Sequence, residues 1–177
     1  MTMSTTYLDP YDRYRKPHSA GAEGGAILEM PDPETWTSGQ RLLARWYEDH
    51  AVDGLVPPTT PIDLLGPLIG LVHKLVVDRD RDDFRYLIYG RSIAKKANMG
   101  VDGLWVSELI EPTRSVFLEH YRTLVAAPRL YMGWLRYEGI DIPHREWVRA
   151  VAPMGSARDG VTHFIVYSDT VDDPRRI

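Results

Sequence analysis

The chain has 177 residues, of which 44% are hydrophobic and 26% charged, a composition typical of one globular domain with short attachments. Its net charge of -4 gives no electrostatic footprint for nucleic acid, and no apolar run approaches the roughly 18 residues that a membrane helix needs. Cysteine is absent, which excludes disulfides, thiolate nucleophiles and cysteine-ligated metals. We therefore expect neither a nucleic-acid nor a membrane partner. The lack of a secretion-type apolar stretch at the start favours a cytoplasmic location.

Residues 1–35 are predicted to form a flexible N-terminal tail. This segment holds four prolines and a run of small residues, which supply few apolar anchors against chain entropy. Its tyrosines leave partial docking on the rest of the protein as the alternative. A short tail over residues 172–177 is predicted at the other end.

An amphipathic helix is predicted over residues 37–50. Thr37 and Gln40 have the spacing of a capping box, and apolar side chains then recur on one helix face at Leu42, Leu43, Trp46 and Tyr47. That face needs a cover, either the remainder of the domain or a second copy of the chain. A Pro-rich joint then extends to about residue 60.

The remaining chain alternates between strand-like and helical segments. A charged loop over residues 78–83 separates two β-rich runs and predicts a hairpin. Short helices are expected over 91–110, and Pro112 begins a longer helix that ends before Pro128. The predicted strands are 71–77, 84–89, 130–137, 146–152 and 161–168. By alternation the last three are apolar on both faces, so the sheet should need cover on both sides.

Several short motifs in this order resemble the compact, stand-alone bacterial subfamily of PAS domains. Coverage runs from about residue 41 to 171, and the strength of the resemblance lies in the order rather than in any one motif. The motifs are Arg45-Trp46-Tyr47, the Pro-rich run 57–63, the aromatic strand end 84–92, Gly103 to Leu109, and the strand 148–154. Two departures stand out. Thr59 and Thr60 replace a usual arginine, and the usually Leu-rich strand reads Val148-Arg149-Ala150.

The resemblance implies an α+β fold with a five-stranded antiparallel sheet, helices over one face and a small central pocket. The N-terminal helix and joint would occupy residues 36–60, and the PAS-like domain residues 61–171. It also implies a sensory or regulatory module without chemistry of its own. Such a module would bind a small organic ligand or a protein partner, or form a homodimer, and signal through a separate effector.

A ligand site is predicted between the 112–126 helix and the final strands. Phe117, His120 and Tyr121 share a helix face because they lie three and four residues apart, and in the resembled fold that face looks into the sheet. Trp134 on a neighbouring strand completes the predicted set. Such a pocket is largely apolar with one or two polar handles, which suits a small organic ligand.

No cofactor is predicted. A histidine on the pocket helix, His120, could hold haem, but a lone histidine on an apolar face is more often structural. The other histidines lack metal-binding spacing, and arginines interleave the acidic loop 78–83, which therefore suits a solvated hairpin better than calcium. We predict neither haem, flavin nor a catalytic metal.

Two other functions remain open from the sequence. A cupped α+β enzyme could use His120 or His163 as a base beside Tyr121, although no partner carboxylate is recognisable by spacing. The third possibility is a dimerisation scaffold whose pocket is filled by large side chains.

Overall fold

The protein, a computed structural model, is described over residues 25–137 and 144–171 and has an α+β architecture built on one antiparallel sheet. The strands are β1 (Gly25–Glu29), β2 (Val72–Asp78), β3 (Asp83–Tyr89), β4 (Tyr131–Tyr137), β5 (Glu146–Ser156) and β6 (Gly160–Thr170). The α-helices over these residues are α1 (Ser38–His50), α2 (Arg91–Ala97) and α3 (Thr113–Ala126). The strand order across the sheet is β1-β4-β5-β6-β2-β3. Nowhere in the described segments is a helix long and apolar enough to cross a bilayer.

The first helix forms where the capping-box spacing predicts it. The Thr37 hydroxyl accepts a hydrogen bond from the Gln40 amide at 3.3 Å, and the Thr37 amide donates back to the Gln40 side chain at 2.9 Å. These reciprocal bonds satisfy amides that the first helical turn would otherwise leave without partners. Leu43 and Trp46 are buried on the face that meets the sheet. The apolar stripe is therefore covered within the chain.

The charged loop between β2 and β3 closes a hairpin, as its composition predicts. Asp78 pairs with Asp83 at the end of the ladder, and Asp82 takes the left-handed conformation that a tight turn requires. Arg122 of α3 forms an ion pair with Asp82 at 2.8 Å. The loop's carboxylates are thus held by turn geometry and by a neighbouring cation.

The sheet has six strands, so the prediction of five is wrong in number. Gly25–Glu29, which the sequence places inside the N-terminal tail, pairs antiparallel with β4, for example Ile27 opposite Leu135. This edge strand is only partly buried, so its own sequence gives a weak strand signal. Backbone hydrogen bonds to β4 keep it in the sheet. Residues 1–24 and 172–177 lie outside the described residues, and the tail predictions for them stay predictions.

Side chains of the sheet alternate between two apolar layers, because successive strand residues point to opposite faces. The inner layer, between the sheet and α2, α3 and the 98–110 segment, includes Phe84, Trp147 and Phe164. The outer layer, between the sheet and α1 and the 62–71 segment, includes Val148 and Ile165. The sheet is therefore covered on both faces, as its apolar alternation predicts.

Candidate ligand cavity

The inner layer contains a partly open cavity of about 60 Å³ between the sheet and the helices. A cavity needs roughly 10–15 Å³ to hold one water, so this one has room for several waters or a small molecule. Its apolar wall includes Ile93, Val101, Leu109, Leu135 and Trp147. Its polar wall includes His73, Thr113, Arg149 and Ser168.

Arg149 faces this cavity because of its place in the β5 alternation. Trp147 and Val151, two residues to either side, belong to the inner layer, so Arg149 points the same way. Its cross-strand neighbours are Gly133 on β4 and Ser168 on β6. Neighbours directly across a sheet share a face, so the small Ser168 leaves room beside Arg149, whereas the Tyr131 ring occupies the space over Gly133, 2.3 Å from where a Cβ would lie.

The guanidinium of Arg149 lies among aromatic rings. It donates a hydrogen bond to the Tyr121 hydroxyl, and its Cζ is 4.5 Å from the centre of the Phe117 ring and 5.2 Å from that of Tyr121. Its Nε is buried without a hydrogen-bond partner. Among the described residues, no carboxylate forms an ion pair with it.

Aromatic rings and one hydroxyl offset this buried charge, but no carboxylate of the described residues neutralises it. Arg149 is only 1% exposed, and guanidinium stays protonated in proteins. Desolvating one such ion costs several kcal/mol, and each of its two cation–π contacts returns about 2 kcal/mol when desolvated. One hydrogen bond to a neutral hydroxyl adds about 1.5–3 kcal/mol when a charged group takes part. The side chain therefore retains a donor and a positive charge that can act on a bound molecule.

His73 supplies a second polar group to the cavity wall. Its ring stacks on Tyr89 with centroids 5.0 Å apart, and its Nε2 lies 3.5 Å from the Ser168 hydroxyl. Its Nδ1 is buried without a partner. Burial, and then the nearby Arg149 charge, lowers the pKa of His73 well below its usual range, so the ring is neutral. A neutral imidazole offers one donor or one acceptor, depending on its tautomer.

The tyrosines around Arg149 provide no negative charge. Burial raises the pKa of Tyr86 well above its usual value and also raises that of Tyr121, although Arg149 opposes the shift at Tyr121. Burial likewise raises the pKa of Tyr137, which lines the cavity, to about 12. All three phenols are therefore neutral at physiological pH. Arg149 is the charged group that gives the cavity its electrostatic character.

A hydrogen-bond bridge connects the cavity strand to α1 on the other face of the sheet. Nε2 of Gln40, a fully buried side chain, donates to the carbonyl of Arg149 at 3.0 Å and to that of Gly133 at 3.3 Å. The same side chain completes the capping box of α1. The backbone at Arg149 is thus bonded directly to the first turn of the helix.

The four residues predicted as a ligand site do not form one site. Phe117 lines the cavity, and Tyr121 lies behind Arg149 as its hydrogen-bond acceptor. His120 is not among the lining residues; its ring packs against Tyr131, with centroids 4.5 Å apart. Burial, followed by the charges of Arg149 and Arg129, lowers the pKa of His120 to about 3.

The placement of Trp134 in the pocket needs correction. Its strand neighbours Tyr131, Leu135 and Tyr137 belong to the inner layer, while Met132 belongs to the outer layer. By alternation Trp134 therefore shares the outer face, away from the cavity. The sequence could not decide this, because the strand is apolar on both faces.

Two polar residues of the cavity were missed in the sequence. The only signal for Arg149 in the sequence is that it is a charged residue within an otherwise apolar strand, Val148-Arg149-Ala150-Val151. Charged residues are almost never fully buried unless they are paired, so such an interruption is a usable signal. His73 gave no comparable signal, since it is the second residue of β2 and lies beside Lys74.

No metal-binding cluster of three or more histidine or acidic side chains occurs over residues 25–137 and 144–171. His163, the other candidate base, lies outside the cavity lining; its Nδ1 contacts the Thr162 hydroxyl at 2.9 Å. Neither histidine proposed for an enzyme thus lines the cavity.

Comparison with known proteins assigns neither a family nor a function to this chain. No model of a protein family matches the sequence, and no curated protein matches it. Among solved structures, the chain is similar to an RNA-binding light-oxygen-voltage receptor, with a TM-score of 0.44 and 16% sequence identity. The match covers 86% of this chain and 40% of that one, so this chain spans less than half the length of the receptor. Similarity at this level assigns no function.

Proposed function

We propose that the chain is a sensory or regulatory module of the PAS type that binds a small ligand in its inner cavity. The observation that supports this most is the pairing of an apolar wall with two buried polar atoms that lack partners, Arg149 Nε and His73 Nδ1. Ligand sites have this composition, with a mostly apolar lining and a few convergent polar groups.

The module is proposed to act without chemistry of its own. Its output would pass to a separate effector, through a protein partner or a homodimer. The Gln40 bridge supports a route for that output, because it joins the backbone of the cavity strand to α1. A ligand that shifts Arg149 would alter the hydrogen bond between its carbonyl and Gln40, and so the first turn of α1. The rest of the sheet need not move.

A combination of mass spectrometry and cavity filling tests this proposal. Native mass spectrometry of the freshly purified chain should show a retained small molecule, and Leu109→Phe, which narrows the cavity, should abolish retention. Trp134→Phe is the matched control, since Trp134 lies on the other face, and it should retain the molecule.

A backbone chemical-shift map made with the recovered compound should place the largest changes at the cavity lining and at Gln40. Binding that maps to the outer face would contradict the cavity proposal. So would equal retention by the Leu109→Phe protein. A chain that retains no molecule and responds to none in a fragment screen would instead support the scaffold with a filled pocket.

A further inference from the structure

The unpaired charge of Arg149 indicates what class of molecule the cavity accepts. The side chain is 1% exposed, lines the cavity and has a buried Nε without a partner. The groups that contact it or lie across the strand from it are neutral: the Tyr121 hydroxyl, the rings of Phe117 and Tyr121, and the small residues Gly133 and Ser168. A buried cation in such surroundings is stabilised most by an anion that brings hydrogen-bond acceptors.

We infer that the cavity binds a small organic monocarboxylate whose carboxylate group is held by the guanidinium of Arg149. This inference rests on the proposed ligand-binding function and specifies its ligand class. The planar guanidinium matches a carboxylate in geometry, and Arg149 lines the cavity with a charge that no carboxylate of the described residues neutralises.

The charge and size of the cavity set further limits on the ligand. Arg149 is the only arginine or lysine among the described residues of the lining, which also holds the imidazoles of His73 and His144, so one carboxylate is matched better than a phosphate dianion. The volume of about 60 Å³ is well below the roughly 150 Å³ of a cavity known to take benzene. The part of the ligand that enters the cavity is therefore short and aliphatic rather than aromatic. The neutral His73 ring can bond a hydroxyl or keto oxygen on such an acid.

The test compares acids with their neutral amides of nearly equal shape. Formate and acetate are titrated against formamide and acetamide, at constant ionic strength with chloride as the balancing anion. The protein is the full chain with ¹⁵N-labelled tryptophan. The indole of Trp147 lines the cavity and donates to the His144 carbonyl at 3.1 Å, so its signal reports occupancy. The indole of Trp134, on the outer face, is the internal control.

We expect the acids to shift the Trp147 signal with an affinity at least about tenfold above that of the amides, while the Trp134 signal stays unchanged. In Arg149→Met, which replaces the charge by an apolar side chain of similar length, this preference should disappear. Arg149→Lys keeps the charge without the planar fork and should retain a weaker preference. It serves as the second variant if the methionine variant does not fold.

The remaining outcomes separate the two proposals. If acids and amides shift Trp147 equally in the unaltered protein, the cavity binds ligands without anion selection, so the carboxylate inference fails and the proposed function stands. An acid preference that persists unchanged in both Arg149 variants would likewise overturn the inference. If none of the four probes shifts Trp147 and native mass spectrometry shows no retained molecule, both proposals fail.

Discussion

The carbonyl oxygen of Arg149 and the side-chain amide of Gln40 are joined by a 3.0 Å hydrogen bond that crosses from the central strand to the helix behind it. The guanidinium of the same arginine points to the opposite side, into the cavity. One residue therefore contacts both the cavity and, through its backbone, the N-terminal turn of α1. The Gln40 side chain combines a capping role with a bridge to the sheet.

Replacing Gln40 should reveal both roles. Gln40→Ala removes part of a capping box and two hydrogen bonds to sheet carbonyls. We expect the free energy of unfolding to fall by about 2–3 kcal/mol, since a cap and each such bond contribute about 1 kcal/mol. Urea denaturation measures this. Thr37→Ala removes only the cap and should cost about 1 kcal/mol; equal losses in the two variants would contradict a role for the bridge.

The α1 stripe offers a matched pair of leucines. Leu43 is fully buried against the sheet, while its neighbour Leu42 is only half-buried. Leu43→Ala should lower the free energy of unfolding by about 2–5 kcal/mol, because it leaves a cavity in the outer layer. Leu42→Ala should cost roughly 1 kcal/mol, in proportion to its smaller buried area. Thermal unfolding of the two variants compares them, and similar melting temperatures would argue that α1 is only loosely docked.

The second residue of α1 has no room for a side chain. A Cβ at Gly39 would lie 2.2 Å from the ring of Tyr167 on β6. Gly39→Ala should therefore destabilise the protein by about 1–3 kcal/mol, although alanine favours helices more than glycine does. Gly100→Ala is the control, since a Cβ there meets nothing within 4 Å. Calorimetry should show a lower melting temperature for the first variant only; a stabilised Gly39→Ala protein would disprove the close contact.

Buried histidines should make stability fall in mild acid. Burial, together with the charges of Arg149 and Arg129, lowers the pKa of His120 from 6.5 to about 3. Below pH 6.5 the unfolded chain therefore binds a proton at His120 that the folded chain does not bind. The contribution of His120 to the free energy of unfolding is complete above pH 6.5 and is lost as the pH falls. Each such histidine contributes up to about 1.4 kcal/mol per pH unit.

His120→Gln should flatten this dependence. Urea denaturation between pH 7.5 and about 5, above the range where most carboxylates titrate, isolates the histidine contribution. The variant should lose stability less steeply than the unaltered chain, with His73 accounting for much of the remaining slope. Identical slopes would show that His120 is not held neutral in the folded protein.

Features encoded by local sequence could be predicted, and those set by pairing across the chain could not. The α1 boundaries follow from Thr37 and Gln40, and the β2–β3 hairpin from its charged loop, because caps and turns act within a few residues. The strand β1 escaped prediction because its partner β4 lies about a hundred residues away. Trp134 was assigned to the cavity because a strand that is apolar on both faces does not reveal its register.

The nine consecutive buried residues 147–155 of β5 have a consequence for how the protein opens to solvent. Over residues 147–151 the strands β4 and β6 flank β5 on both edges, and apolar layers cover both its faces, so no local fluctuation that spares the fold brings water to the amides there. Hydrogen exchange at these amides should therefore occur only when the whole domain unfolds. Their exchange rates would give the global free energy directly, and any stabilisation by a bound carboxylate would appear there as slower exchange of the entire strand.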